Sequence, residues 1–512
     1  MYKLPKGQTV ESLLKRQSSA KSCYNAWRSI HQEAMDYATP QRETFTQNAE
    51  GQRKNRFVFD STAVEGAEQF SSRIQGSLVP SWQQWASLVA GEEVPKEERE
   101  TVNKALKEFT DLMFANLNHS NFDTEISPSL KDLSIGTGAI LVEEAPFGSS
   151  SAFRFTNVPL AELYLEKSGG IWRFHKIACG LIEKTWPEAN IPEELQKIIK
   201  KDPNTEVDIC NGMIETDDDK ARYSQVVMYQ KSVLFTQSFK TKRLIPFRWS
   251  VTPGETYGRG PAINKLPDIR TANKIVELIL GNAAIQMAGV YTGRDDGLFN
   301  PHTVRIAPGS MIPVGSNDNA NPTIRPLTPS GNLGIADGLL EMMQNNIRKA
   351  FFSDPLGEIT DPVRSATENI IRNQEFLKQS GASIGRLKTE LIEPLISAMI
   401  DILKDLGKFP EGLNINGAEV TIRQESPLAQ SEKIEEFQNT QLWFSTIAQF
   451  LPQEVIAAKV KVENLPGLFQ QQLGVNPDLI RSDAETKLLA KQVQSAAEKR
   501  IQDGQPPAEE GF

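Results

Sequence analysis

Apolar residues recur at helical spacing over the first forty positions, and QTVESLLKRQSSAKSCYNAWRSIHQEAMDYATP predicts one long helix stopped at Pro40. The polar run QRETFTQNAEGQRKNR that follows reads as a loop. In FDSTAVEGAEQFSSRIQGSLVP, Ala63, Ala67, Phe70, Ile74 and Leu78 share one helix face. Thr62 and Glu65 there have the spacing of a capping box, and Gly76 and Pro80 close the element. Trp82 and Trp85 come next, and the burial tendency of tryptophan puts both at a core edge. Helical spacing returns over 98–134. At GTGAILVEE, 136–144, the period changes to that of a strand. FRFTN, AELYLEK, IWRFHKIACGLIEK, VDICNGMI, YSQVVMYQKSVLFTQ and IPFRWSV are further strands, with a small helix inserted at TWPEANIPEELQKIIKK. The pattern is α+β, predominantly helical, with a first domain ending near residue 250.

TPGETYGRGPAINKLPDIRTANKIVELI, 252–279, looks like a glycine-rich loop feeding a helix. From Gly254, however, the second glycine of a P-loop would fall at Arg259, and no Lys-Ser/Thr pair follows. Gly258 and Gly260 begin a dinucleotide fingerprint whose third glycine position is Ile263. The reading that remains is mechanical. Gly254, Gly258 and Gly260 supply backbone angles that other residues resist, so the chain turns from strand into helix, while Arg259 ties the corner to a carboxylate or carbonyl. The helix that follows runs about 22 residues, roughly 33 Å, with Pro267 at a first helical position and Asp268 near the positive end of its dipole. A Gly-, Pro- and Asn-rich segment then predicts a small β-rich excursion around TVRIA and MIPV, before a returning helix at IADGLLEMMQNNIRKAFFSD. PLGEITDPVR reads as a mobile loop. Ser365 to Glu368 is a capping box that opens a helix of roughly 40 residues reaching Gly407, kinked at Pro394. AEVTIRQE is a strand, and the remainder is helical with a disordered tip, DGQPPAEEGF.

Composition removes several classes of function. The 512 residues are 39% hydrophobic and 24% charged, as in a globular protein. No apolar run approaches the roughly 20 residues that span a bilayer, and the opening stretch lacks the core of a secretory signal, so no membrane role is expected. Cys23, Cys179 and Cys210 suggest buried thiols in a reducing compartment. His31, His119, His175 and His302 have no zinc-ligand spacing, so no metal and no cofactor is expected. Carboxylate runs such as Glu143-Glu144 and Asp217 to Asp219 read as solvated faces, and no G-x-S-x-G occurs. No catalytic residue is assigned. The net charge of −9 argues against a protein that grips nucleic acid.

Six stretches stand in a telling order: FDSTAVEGAEQFSSRIQGSLVP with WQQWASL, SNFDTEISPSLKDLSIGTGAILVEE, PGETYGRGPAINKLPDIRTANK, RSATENIIRNQEF, VTIRQESPLAQSEK and GVNPDLIRSDAE. Through them the chain resembles, over nearly its full length, the portal proteins or head-to-tail connectors of short-tailed, podovirus-like bacteriophages. The resemblance implies a non-enzymatic late protein, made in the host cytoplasm and built into the virion as a ring of twelve copies at one capsid vertex. Double-stranded DNA would pass through the ring during packaging and ejection. Its implied partners are the terminase packaging motor, tail adaptor proteins, and capsid and scaffolding proteins. The implied organisation is an α+β wing at 1–250, a wing-to-stem bend and first stem helix at 251–290, a clip at 291–333 and a second stem helix at 334–352. A tunnel loop (353–364), a long kinked helix and a wing strand fill 353–424, and a helical crown with a flexible tip fills 425–512.

On this reading Gly281, Ala283, Ala284, Ala288 and Gly289 let stem helices of neighbouring copies approach, and Gly258 and Gly260 make the bend. Gly260→Val is then expected to block ring assembly more than folding. Candidates for steering DNA in the channel are Lys265, Arg270, Lys274, Arg348, Lys349 and Arg364. Two other readings compete. A tail adaptor or internal head protein is opposed by two helices flanking a clip, and an ATP-driven motor by the missing P-loop lysine.

Overall fold

In the computed structural model the described residues are 4–5, 7–42, 45, 51, 54–91, 94–95, 98–218, 221–288, 291–293, 324–326, 333–353, 380–409, 420–424, 440–447 and 449–450. The first helix, α1 (Val10–Ala38), is opened by a capping box in which the Thr9 hydroxyl accepts the Ser12 N–H and the Ser12 hydroxyl accepts the Thr9 N–H. Leu13, Ala20, Tyr24, His31, Ala34, Met35 and Ala38 form its buried face. Helix α2 (Thr62–Leu78) buries the five apolar residues expected of it. Its start differs from expectation. Ser61 is the cap residue, in helical rather than extended backbone, and makes no capping bond. The Thr62 hydroxyl donates instead to Asp60 Oδ1 at 3.0 Å, so it is not free to cap. Helices α3 (Arg99–Asn118) and α4 (Phe122–Ile135) complete the first layer.

A stretch that was not expected to form a strand does so. Strand β1 (Ala86–Ala90) pairs antiparallel with β12 (Val420–Gln424), a contact between segments more than three hundred residues apart. Thr110 and Asn103 of α3 accept the outward N–H groups of Leu88 and Ala90. Trp85, just before β1, is buried edge-on to Phe114. Trp82 is 72% exposed, against expectation, because it lies in the turn and only its ring edge reaches Gly76 of α2.

Strand β2 (Thr137–Glu144) is the centre of a three-stranded antiparallel sheet, between β3 (Phe153–Asn157) and β9 (Leu244–Arg248). The second sheet is an antiparallel meander of β4 (Leu163–Leu165), β5 (Ile171–Ala178), β6 (Glu206–Asp218), β7 (Ala221–Tyr229) and β8 (Ser232–Phe239). Between β5 and β6 the chain forms α5 (Ile182–Thr185) and the expected small helix α6 (Glu193–Lys201). Leu195 of α6 is buried over Ile182, Trp186, Ile209 and Leu234, which gives this sheet a core of its own.

The main core lies between α1, α2, α4, the three-stranded sheet and a long helical segment. That segment is helical at 380–387, widens into a π-turn at Lys388–Ile392, and continues as α10 (Glu393–Asp405). Proline lacks the N–H that a regular turn needs, and the π-turn falls directly before Pro394, where the kink was expected. The helix stops at Asp405. Gly407, in left-handed backbone at φ 69°, donates to Lys404 O, and Lys408 donates to Leu403 O, both at 2.9 Å, which is a Schellman termination. Two arginines clamp this helix to β9. Arg248 donates to both oxygens of Glu390, at 2.6 and 3.1 Å, and Arg243, just ahead of β9, donates to Asp401 at 3.1 Å.

Several expectations lie outside the described residues. They are the capping box at Ser365 to Glu368, most of the excursion at 291–333, the loop after residue 353, and nearly all of 425–512.

Candidate functional site

The segment that leaves β9 meets the end of α4 almost backbone to backbone. Gly260 donates to Ile135 O at 2.7 Å, Arg259 to Ser250 O at 2.7 Å, Gly258 to Thr137 Oγ1 at 2.9 Å, and Trp249 to Gly136 O at 3.0 Å. This corrects the role expected of two glycines. Gly260 has φ −96° and ψ 176°, extended backbone open to any residue, and Gly258 is not left-handed either. They are glycines because there is no room for a Cβ. At Gly258 it would collide with Gly136 O, and at Gly260 with Ser134 O. Of the three glycines in the segment only Gly254, at φ 88°, turns through left-handed backbone.

The corner is anchored from beneath. Tyr257 is fully buried; its hydroxyl donates to Leu163 O at 2.9 Å and accepts the Leu165 N–H at 3.1 Å. Burial pushes its phenol well above the ordinary range. Arg259 pairs with both oxygens of Glu255, at 2.6 and 2.8 Å, and lies over the Trp27 ring, so the expected carboxylate partner is a near neighbour in sequence.

His31 lies under the same corner, 5.2 Å from the Tyr257 ring, and neither of its nitrogens has a hydrogen-bond partner. Burial lowers its pKa to about 3. The folded chain therefore holds His31 neutral where the unfolded chain protonates it. Stability is lost as pH falls below about 6.5, and the loss is complete near pH 3. At pH 5 the contribution is about 2 kcal/mol. Denaturant titrations should show wild type losing this amount relative to His31→Phe between pH 7 and pH 5. A difference that does not change with pH would contradict the assignment.

Beyond the corner come α7 (Pro261–Asn264), α8 (Leu266–Ala288), β10 (Tyr291–Gly293), β11 (Ile324–Pro326) and α9 (Leu333–Ala350). β10 and β11 pair antiparallel, and α8 packs along α9. Only the near ends of the pair are seated in the body. α8 buries Leu266, Ile269, Ala272 and Asn273, and no later described side chain on it is buried. The returning end is held by Ile347 of α9 and by Phe351 just beyond it, both fully buried, with the Phe351 ring against Gly66 of α2. Farther out, Leu278, Leu280, Met287, Leu339 and Met342 are 44–82% exposed. Gly281 has open space about it and Ala284 is exposed, whereas Ala283 is half-buried. The side chain of Ala288 and all of Gly289 lie outside the described residues.

The basic candidates divide into two groups. Lys265 pairs with Asp268 at 3.2 Å, Arg270 with Glu33 at 3.1 Å, and Lys274 with Glu277 at 2.9 Å. Among the described residues the Arg348 side chain reaches the neutral Asn345, at 3.4 Å, and Lys349 beside it is exposed. Arg364 lies outside the described residues.

Sequence reading missed the polar clasp that fastens the helix pair. Buried Asn273 accepts the N–H groups of Phe59 (2.6 Å) and Asp60 (3.1 Å) and donates to Phe57 O (2.9 Å). Gln344 of α9 donates to Asp60 Oδ1 at 2.9 Å. The available signal was an asparagine, a poor helix former, on the same face as Ile269.

The helix pair is thus seated at its near ends, springs from an interlocked corner and carries exposed apolar side chains farther out. Residues 10–480 match the family described as "Bacteriophage head to tail connecting protein". The chain is 20% identical over 515 residues to the "Probable portal protein" of Bordetella phage BPP-1, covering 94% of this chain and 90% of that protein. It is also similar to a chain of the solved "Virion of native gene transfer agent (GTA) particle", with 10% identity, TM-score 0.39, and coverage of 87% of this chain and 99% of that one. The chain belongs to the family of bacteriophage head-to-tail connecting proteins, and its function is that of a phage portal.

Proposed function

We propose that copies of this chain close into a ring, most simply of twelve, in which α8 and α9 are the stem, packed between identical neighbours around a channel for double-stranded DNA. The observation that carries this is the exterior of the pair. A lone subunit leaves five large apolar side chains on it in water, and packing against the next copy would cover them. Residues 1–250 and the helix running to Asp405 are the wing, 291–333 the clip that meets tail adaptor proteins, 353–364 the tunnel loop and 425–512 the crown. The ring occupies one vertex of the virion, contacts capsid and scaffolding proteins, and docks the terminase motor. It performs no chemistry itself.

Charge supports passage without grip. Twelve copies at −9 each carry about −108. A stem of roughly 33 Å would face about 20 phosphates, and a basic wall would bind and stall them. Three of the stem cations are answered by carboxylates, whereas Arg348 and Lys349, at the end of α9, have no carboxylate partner among the described residues and are the candidates we favour for steering DNA. Sedimentation of the purified chain should give a species of about 0.7 MDa, twelve times 56.9 kDa. Monomers at every concentration, with scaffolding protein present or absent, would contradict the ring.

A further inference from the structure

We infer that residues 56–60 form an intersubunit strap, held on one flank of the helix pair for docking against the opposite flank of the next copy; this rests on the ring reading above. The backbone at 57–60 is fixed to α8 by the three hydrogen bonds of Asn273, and the Asp60 side chain is held to α9 by Gln344, yet Phe57 is left 77% exposed and Phe59 40% exposed. A mere loop has no need of a buried amide that orders its backbone while two aromatic rings face water. Ordering the backbone in advance is how a docking element reduces the entropy lost on binding.

The exposed apolar residues sort by helix angle. At about 100° per residue, Leu280 and Met287 lie within about 40° of Asn273, on the strap's flank, whereas Leu278 lies about 140° round α8. On α9, Leu339 and Met342 lie about 140–160° from Gln344, again away from the strap. One flank therefore presents Phe57, Phe59, Leu280 and Met287, and the other Leu278, Leu339 and Met342. Two different apolar flanks on one chain are what a head-to-tail contact requires, and such contacts close into rings when the rotation allows. The occupant of the strap flank is accordingly a second copy of this chain. Its contact continues the proposed stem interface down to the level of the body.

Phe57→Asp and Leu339→Asp each spoil one flank at an exposed position, so circular dichroism and thermal unfolding of either variant should match wild type. Sedimentation, at a concentration where wild type is assembled, should show each variant alone losing at least tenfold of its assembled fraction. An equal mixture should form dimers, because one intact flank of each kind remains. If Phe57→Asp assembles like wild type while Leu339→Asp does not, the strap inference is overturned and the stem reading stands. A mixture that stays monomeric overturns the pairing of the two flanks. If both variants assemble normally, or wild type never assembles, the stem reading falls and the strap falls with it.

Discussion

Gly260→Val should leave the subunit unable to hold its native fold, with a loss of about 3–5 kcal/mol and little soluble protein. From sequence alone the expected outcome was a chain that folds and fails to form rings, with glycine serving as a bend. The contacts reverse that order. A Cβ at 260 would run into the carbonyl of Ser134, with Ile135 C only 2.6 Å away. Both atoms belong to the backbone at the end of α4, which cannot rotate aside as a side chain can. The same place holds the 2.7 Å bond from Gly260 N–H to Ile135 O, so any separation that admits valine also breaks the link between α4 and the start of α7. Gly260→Ala should already be strongly destabilising. The test is the denaturant midpoint of dilute, unassembled protein. A midpoint equal to wild type, with assembly lost, would restore the original view of the glycine.

Arg42→Ala is the second large effect. Asp132, 1% exposed on α4, receives Arg42 Nε at 3.0 Å and an Arg42 terminal nitrogen at 2.8 Å, with the Leu160 N–H at 3.3 Å. The same guanidinium reaches Asn157 of β3 at 3.2 Å, so one side chain fastens the turn after α1 (Pro40–Arg42) to α4 and the sheet. Burial pushes the Asp132 carboxyl up, and Arg42 pulls against that shift. Removing the arginine strands a buried carboxylate. Arg42 is itself partly exposed, so water screens some of the loss, and about 2–4 kcal/mol is expected at pH 7. A carboxyl whose folded pKa is raised takes up a proton more readily in the folded chain. The deficit relative to wild type should therefore shrink as pH is lowered, and Arg42→Ala with Asp132→Asn should recover part of it. Denaturant titrations at pH 7 and pH 5 read both effects. A deficit under 1 kcal/mol, or one independent of pH, would contradict the assignment.

Much of the fold was legible because its elements carry strong periodic signals. Ala63, Ala67, Phe70, Ile74 and Leu78 needed only helical spacing to be placed on a buried face, and they are buried. The short apolar run at 137–144 was readable as a strand, and Pro394 marked the place where the helix departs from regular geometry, in a π-turn at Lys388–Ile392. Strand β1 was not, because it is only five residues long and its partner, β12, lies more than three hundred residues along the chain. Trp82 and Trp85 show the limit of residue-type arguments. They are chemically alike and three apart, yet only Trp85 turns inward. At the candidate site, the bend could be located from Gly258 and Gly260, but close approach and backbone angle leave the same letter in the sequence. The clasp at Asn273 was invisible for a related reason. Its partners are backbone groups two hundred positions away, and backbone groups carry no signature in the sequence.

The central claim is that α8 and α9 of identical copies wall a channel. A three-dimensional electron-microscopic reconstruction of the assembled particle tests it most directly. The predicted result is a closed ring, twelvefold when its symmetry is counted, with residues 266–288 and 333–350 lining a hole wide enough for a DNA duplex. A solid disc, or a ring with those helices on its outer rim, would contradict it.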